Sequence, residues 1–206
     1  MPARRAFLLS ATAFVTATSL PAFAQRTDVD LQADSTQDEA PIQRRYMMED
    51  TYGNLVKDED FRGKFVLIYF GYMSCPDVCP TTLSVLSEVM QGLGDINEDL
   101  KVVFVTVDPD RDTPEKLHEY LGFFDERIVG LRGPKAYTDH MVKAFNARYE
   151  FYYPDPDDKS EYTVDHTASV AFVGPHGNLI KRFPYGMSSE EISKDIRTII
   201  DEARVD

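Results

Sequence analysis

Short apolar runs alternate with stretches of helical periodicity along most of the chain. Residues 64–72 and 101–108 are continuous runs rich in branched and aromatic side chains, too short for good helices, and they predict two buried strands. Between them, residues 83–93 repeat apolar side chains at helical spacing, and Gly92 and Gly94 end the pattern. A buried strand, a helix and a second buried strand therefore form the start of the predicted domain.

The second half of the chain continues this alternation. A second helix is predicted to begin near Pro114, with Asp112 or Thr113 as its N-cap. The other predicted elements are a short strand at 127–131, a helix at 137–149, two strands within 168–183 and a capped closing helix at 188–204. Residues 149–165 are interpreted as an inserted hairpin with an acidic tip. The pattern predicts an α/β sandwich whose central sheet is mixed and flanked by helices.

The N-terminus differs from the rest of the chain. Two arginines precede a weakly apolar run that ends in Ala-Phe-Ala, which predicts a signal peptide over residues 1–24, cleaved after Ala24. Export by the twin-arginine route or by the general secretory route both remain open, and an uncleaved membrane anchor is the alternative. Residues 25–41 are polar and acidic and predict a flexible leader, so the folded domain is expected to cover residues 42–206.

Charge narrows the classes of partner. The 206 residues include 22 Lys and Arg against 35 Asp and Glu, a net charge of −13. Removal of residues 1–24 takes away Arg4 and Arg5 and no acid, which leaves −15. Such a chain is poorly suited to nucleic acid, and its acidic surface favours solubility and basic partners. The predicted exported form is a soluble periplasmic protein, expected to be a monomer without stable membrane insertion.

Both cysteines of the chain lie in the motif CPDVC, between the first buried strand and a helix predicted to begin at Pro80. Their spacing is compatible with an inert disulfide, a pair of metal ligands or a redox couple. A disulfide that closes so short a loop stabilises a fold little. A helix N-terminus favours thiolate over thiol, so Cys75 and Cys79 are both predicted to be reactive.

A dithiol after the first central strand of an α/β fold resembles the arrangement in thioredoxin. In that arrangement the loop before the closing strands faces the dithiol, and here this loop contains His166. Asp165 is positioned either to accept a hydrogen bond from a ring N–H of His166 or to face water. Two thiolates and one imidazole suit copper, above all Cu(I), with Cu(II) accessible through the imidazole. Structural zinc would need a fourth ligand, which the sequence does not offer.

Three motifs give the chain a close resemblance to the Sco/SenC proteins: YFGYMSCPDVCP, VTVDPDRDTPEKL and VDHTASVAFVGPHG, in the order and spacing of that family. From about Met47 onward, the resemblance implies a thioredoxin-like fold. It further implies one copper per chain, bound by Cys75, Cys79 and His166, with the two cysteines also able to form a disulfide. Asp108 matches a family acid near the site; a supporting role behind the ligands and a simple turn or capping role both remain open.

The resemblance implies a metallochaperone that delivers copper to the dinuclear copper site of cytochrome c oxidase subunit II, or to another periplasmic copper protein. The alternative is a thiol-disulfide oxidoreductase that reduces the cysteines of such a site. Thioredoxin-like reductants usually have a proline before the facing strand, where this chain has His-Thr-Ala, and this difference favours copper binding. A peroxidase of the peroxiredoxin type fits the two neighbouring thiols poorly.

Overall fold

The computed structural model describes residues 44–204. In this part of the chain the strands are β1 (Met47–Asp50), β2 (Leu55–Lys57), β3 (Phe65–Gly71), β4 (Leu100–Thr106), β5 (Val129–Arg132), β6 (Tyr149–Tyr152), β7 (Thr163–His166), β8 (Val170–Val173) and β9 (Leu179–Phe183). The α-helices are α1 (Val78–Gly92), α2 (Pro114–Gly122), α3 (Lys135–Ala144) and α4 (Ser189–Ala203). Short 3-10 helices cover Asp58–Phe61 and Gly94–Glu98.

Seven strands form one sheet in the order β2-β1-β5-β4-β3-β8-β9. Strands β3, β4 and β5 are parallel, whereas β8 and β9 run antiparallel to β3 and to each other. Helices α1 and α4 pack together, α2 packs on β5 and α3 on β1. The predicted mixed sheet with flanking helices is therefore confirmed.

Strand β3 is the centre of the core, and all seven of its residues are buried. Because β8 pairs antiparallel with β3, with Ala171 opposite Ile68, the start of β8 and the end of β3 lie at the same edge of the sheet. The segment that precedes β8 contains His166, and the segment that follows β3 contains both cysteines. Sheet topology alone thus brings these two segments together.

Strands β6 and β7 form a separate two-stranded sheet, with His166 at the end of β7 paired with Tyr149 at the start of β6. This is the predicted inserted hairpin. A two-stranded hairpin is marginally stable by itself in water, so its position depends on contacts with the rest of the domain.

Two helix ends lie away from their predicted positions, whereas the N-cap of α2 is one of the two predicted residues. Helix α1 begins at Val78 instead of Pro80, which puts Cys79 in its first turn. Helix α3 ends at Ala144 instead of 149, because Asn146 adopts a left-handed backbone with φ of 48°. The N-cap of α2 is Thr113, whose side chain accepts a hydrogen bond from the Lys116 amide. The hairpin β1–β2 was not predicted.

No helix in the described range has the length and apolar character needed to cross a bilayer. The predicted signal peptide (1–24) and leader (25–41) lie outside the described residues.

Gly71, the last residue of β3, leaves room for the buried Cys79. A Cβ atom at this position would lie 2.8 Å from Cys79 Sγ and 2.9 Å from Cε2 of Phe104. Both neighbours are completely buried, so neither can move into solvent. The glycine in the sequence YFGY is therefore required by the packing of the first helical turn against the sheet.

We expect Gly71→Ala to lower the free energy of unfolding by about 1 to 3 kcal/mol, because the added methyl group overpacks the core. Urea unfolding measures the change. Gly122→Ala is the matched control, since a Cβ there meets open space at the end of α2, and it should be neutral or raise stability by up to about 1 kcal/mol. A Gly71→Ala variant as stable as the parent would show that Cys79 is not held in this position.

Candidate metal centre

Cys75, Cys79 and His166 come together at the edge of the sheet where β3 ends. Their ligand atoms all lie within 4.8 Å of one another. Cys79 is completely buried, and the other two side chains are half-buried. Among the described residues, no further histidine, cysteine or carboxylate completes a fourth position in this group.

The two cysteines are held in different ways. Cys75 lies in the turn after β3, where its N–H donates to the carbonyl oxygen of Tyr72 at 3.3 Å. Cys79 faces the core from the first turn of α1, and the hydroxyl of Tyr69 donates to its Sγ at 3.6 Å. Both cysteines are free thiols. One thiol is thus reachable from the surface, and the other is fixed by core packing.

His166 presents its Nε2 atom to the thiols. Nε2 lies 3.3 Å from Cys79 Sγ, and Nδ1 lies 3.2 Å from the carbonyl oxygen of Thr167. Because a carbonyl can only accept, Nδ1 carries the proton and Nε2 is left with its lone pair directed at the site. Burial lowers the pKa of His166, so the ring is neutral at pH 7. The hydrogen-bond acceptor for the ring is therefore Thr167, and Asp165 is exposed.

Burial also determines the proton affinity of Cys79. Desolvation raises the pKa of its thiol to about 12, and the hydrogen bond from Tyr69 opposes this only in part. The predicted preference for thiolate over thiol at the helix N-terminus is thus wrong for free Cys79, because the loss of hydration outweighs the helix dipole. Free Cys79 is therefore protonated at neutral pH, and a cation that binds its sulfur would displace this proton.

The profile of the family described as SCO1/SenC matches residues 34–201. The chain belongs to the SCO1/SenC family. A SCO2-like protein from Rickettsia felis is 31% identical over 169 residues, which cover 81% of this chain and 80% of that protein. The human mitochondrial SCO1 homolog is 36% identical over 149 residues, which cover 71% of this chain and 48% of the human protein.

Solved Sco structures share the fold. Bradyrhizobium japonicum ScoI with copper bound is 33% identical, covers 75% of this chain and 96% of its own, and superposes with a TM-score of 0.68. Yeast Sco1 with copper bound is 29% identical, covers 76% of this chain and 87% of its own, and also gives a TM-score of 0.68. These matches confirm the predicted thioredoxin-like, mixed α/β fold of the family.

Asp108, the residue that matches a family acid, is buried behind the site. Its carboxylate accepts a hydrogen bond from the hydroxyl of Tyr162 at 2.9 Å and pairs with Arg111. No hydrogen bond joins it to the three ligand side chains within the described part of the chain. A supporting role for Asp108 stays a prediction, and any such role acts through Arg111 and Tyr162.

Asp112 has a role that sequence reasoning missed. The side chain is completely buried, and its Oδ2 atom accepts from the amide of Met73 at 3.1 Å and from the hydroxyl of Thr106 at 2.5 Å. It therefore ties the loop that leads to Cys75 to the end of β4. Desolvation raises the pKa of Asp112 to about 6. The available signal was its place in VDPDRD, directly after a strand that ends at the same sheet edge.

The raised pKa of Cys79 predicts slow alkylation at neutral pH. In Cys75→Ser, we expect iodoacetamide to react with Cys79 roughly tenfold faster per pH unit from pH 7 to 9, since the thiolate fraction grows in that proportion below the pKa. Cys79→Ser is the matched comparison and reports on the half-buried Cys75. A rate for Cys79 that is already maximal at pH 7 would contradict burial as the dominant influence.

Asp112 predicts a pH-dependent contribution to stability. Its folded-state pKa lies above the ordinary value of 3.8, so the folded protein retains a proton between about pH 4 and 6 that the unfolded chain has lost. The contribution is therefore complete below about pH 4 and is lost as the pH rises past about 6. The free energy of unfolding of Asp112→Asn, taken relative to that of the parent, should therefore be about 2 to 3 kcal/mol higher at pH 7 than at pH 4.

Urea unfolding at both pH values measures this gain. Asp110→Asn, at an exposed position in the same loop, is the control for general loss of negative charge. An identical gain in the two variants would rule out burial of Asp112 as its cause.

Proposed function

We propose that the protein binds one copper ion per chain through Cys75, Cys79 and His166 and acts as a copper metallochaperone. The convergence of two sulfur atoms and a neutral imidazole within 4.8 Å carries this proposal. Two thiolates suit Cu(I), and the imidazole extends the set to Cu(II). The copper-bound structures of the relatives from Bradyrhizobium japonicum and yeast support the choice of metal.

The geometry of the site suits reversible binding of a metal ion. Cys79 holds the ion from the core side, whereas the half-buried Cys75 and His166 leave the outer side of the site within reach of a partner's ligands. Binding displaces the proton of Cys79, so arrival of copper releases a proton and departure of copper takes one up. Exchange of protons for metal at a partly open site is what a carrier needs.

Sco proteins take part in copper handling and cytochrome c oxidase assembly. We extend this role to the present chain and assign the dinuclear copper site of oxidase subunit II, or another periplasmic copper protein, as its client. The periplasmic location rests on the predicted signal peptide at residues 1–24.

The second candidate function is thiol-disulfide exchange with the same client. It is favoured by the pairing of a half-buried free thiol, Cys75, with a buried one, Cys79, because exchange needs an accessible attacking sulfur and a second sulfur to resolve the mixed disulfide. This chemistry needs the dithiol alone, whereas retention of Cu(II) also needs His166.

The experiment is copper titration of the reduced protein without oxygen, followed by oxidase assembly in cells. The parent should bind one copper, and prior oxidation to a Cys75–Cys79 disulfide should abolish binding. His166→Ala should weaken Cu(II) binding about 10- to 100-fold and reduce oxidase assembly, while two thiolates still hold Cu(I). His118→Ala, at an exposed position on α2, is the matched control.

Exchange chemistry predicts a different pattern. His166→Ala would then support oxidase assembly as well as the parent, while Cys75→Ser and Cys79→Ser would fail. A folded His166→Ala protein that binds Cu(II) weakly and is fully active in the cell would overturn the chaperone proposal.

A further inference from the structure

Tyr72 physically connects the two segments that carry the metal ligands. Its carbonyl oxygen accepts the amide of Cys75, and its hydroxyl oxygen accepts the amide of Val164, both at 3.3 Å. Val164 lies two residues before His166 on β7. The Tyr72 ring also meets the His166 ring edge to face, with centroids 5.8 Å apart and an interplanar angle of 89°. One buried tyrosine therefore contacts the cysteine loop and the histidine strand together.

Arg111 holds this tyrosine against the hairpin. Its guanidinium carbon lies 3.7 Å from the centroid of the Tyr162 ring and 5.7 Å from that of Tyr72. Nη1 donates to the carbonyl oxygen of Tyr162 at 3.1 Å, and Nε pairs with the buried carboxylate of Asp108. The same carboxylate accepts the Tyr162 hydroxyl. Stacking and hydrogen bonds thus fix the guanidinium at the junction between the β4–α2 loop and the hairpin.

The hairpin β6–β7 depends on such contacts because it shares no ladder with the central sheet. On the β6 side, the hydroxyl of Tyr149 donates to Asp139 of α3. On the β7 side, which carries His166, the contacts of Tyr72 with Val164 and of Arg111 with Tyr162 join the hairpin to the rest of the site. The position of the imidazole relative to the thiols is consequently set by side chains outside the ligand set.

We propose that Arg111 is a positioning residue: with Tyr72, Tyr162 and Asp108, it fixes β7 so that Nε2 of His166 stays directed at Cys79. The proposal deepens the copper-binding function and rests on it. Loss of Arg111 releases the histidine side of the site and leaves both thiols in place, Cys75 in the turn after β3 and Cys79 in α1. The consequence is selective, since the imidazole is needed for Cu(II) and two thiolates suffice for Cu(I).

The test uses three variants of the exported chain and one control. Arg111→Gln removes stacking and charge, Arg111→Lys keeps the charge but loses the planar fork, and Tyr72→Phe removes only the oxygen that accepts the Val164 amide. Arg127→Gln, which removes an exposed arginine paired with Asp125, is the control.

The first measurement needs no metal. Amide hydrogen exchange of Val164 in the apo protein should accelerate about tenfold or more in all three variants, because its acceptor is displaced or absent, while the amides of β3 remain protected. Arg127→Gln should match the parent. Unchanged exchange at Val164 in folded Arg111→Gln and Tyr72→Phe would overturn the proposal, whether or not the protein binds copper.

The second measurement is copper binding. Arg111→Gln and Arg111→Lys should both weaken Cu(II) binding about tenfold and alter the sulfur-to-copper charge-transfer band, with a smaller change in Cu(I) affinity. In a His166→Ala background, Arg111→Gln should have no further effect on Cu(II) affinity. Additive losses would show that Arg111 does not act through His166. A lysine variant equal to the parent would show that Arg111 acts through its charge. Either result would overturn the proposal. Failure of the parent to bind copper would instead refute the proposed function.

Discussion

The burial of Cys79 is the constraint on which the rest of the site depends. Its sulfur lies under the last residue of β3, where only glycine leaves space, and its neighbours include the Tyr69 hydroxyl and the His166 ring. Since the core is close-packed, the sulfur has one available position. Every other ligand is therefore arranged relative to an atom that the hydrophobic core holds in place.

The same burial explains why the thiol of Cys79 stays protonated in the metal-free protein. Withdrawal from water stabilises the protonated form of Cys79, so the free protein keeps this sulfur neutral at physiological pH. A soft cation that binds sulfur directly can supply the missing compensation, whereas a hydrated hard cation cannot do so without losing its own oxygen ligands. Burial thus contributes selectivity as well as rigidity.

Much of the fold could be predicted from periodicity, because β3, β4 and α1 have strong apolar patterns of their own. The candidate ligands could also be predicted, because the chain has only two cysteines and the strand order places one histidine opposite them. Hairpin β1–β2 was not predicted because its strands have only three or four residues and little alternation of apolar and polar side chains.

The pKa values and supporting contacts of the site were harder to predict than the identity of its candidate ligands. The pKa of Cys79 depends on burial by strands distant in sequence, and a local argument from the helix N-terminus gave the wrong direction. From the sequence, Asp112 is a candidate helix cap and Arg111 a polar loop residue, and their contacts with the site form only when β4, the cysteine loop and the hairpin meet. Side-chain contacts between non-neighbouring segments are what a single sequence does not display.

The two halves of the site are built on different supports, and this difference bears on metal release. The thiols lie in the turn after central strand β3 and in the first turn of α1, whereas the imidazole belongs to a hairpin fixed by an arginine, two tyrosines and a carboxylate. Withdrawal of the imidazole costs these side-chain contacts and the burial of Val164, the one residue of β7 in the hydrophobic core, while β3, β4 and α1 keep their own packing. Withdrawal of the imidazole leaves a two-sulfur set that still suits Cu(I) but holds Cu(II) poorly. A partner that displaces the hairpin would therefore change the oxidation state that the site prefers, while the seven-stranded sheet keeps its strand pairing.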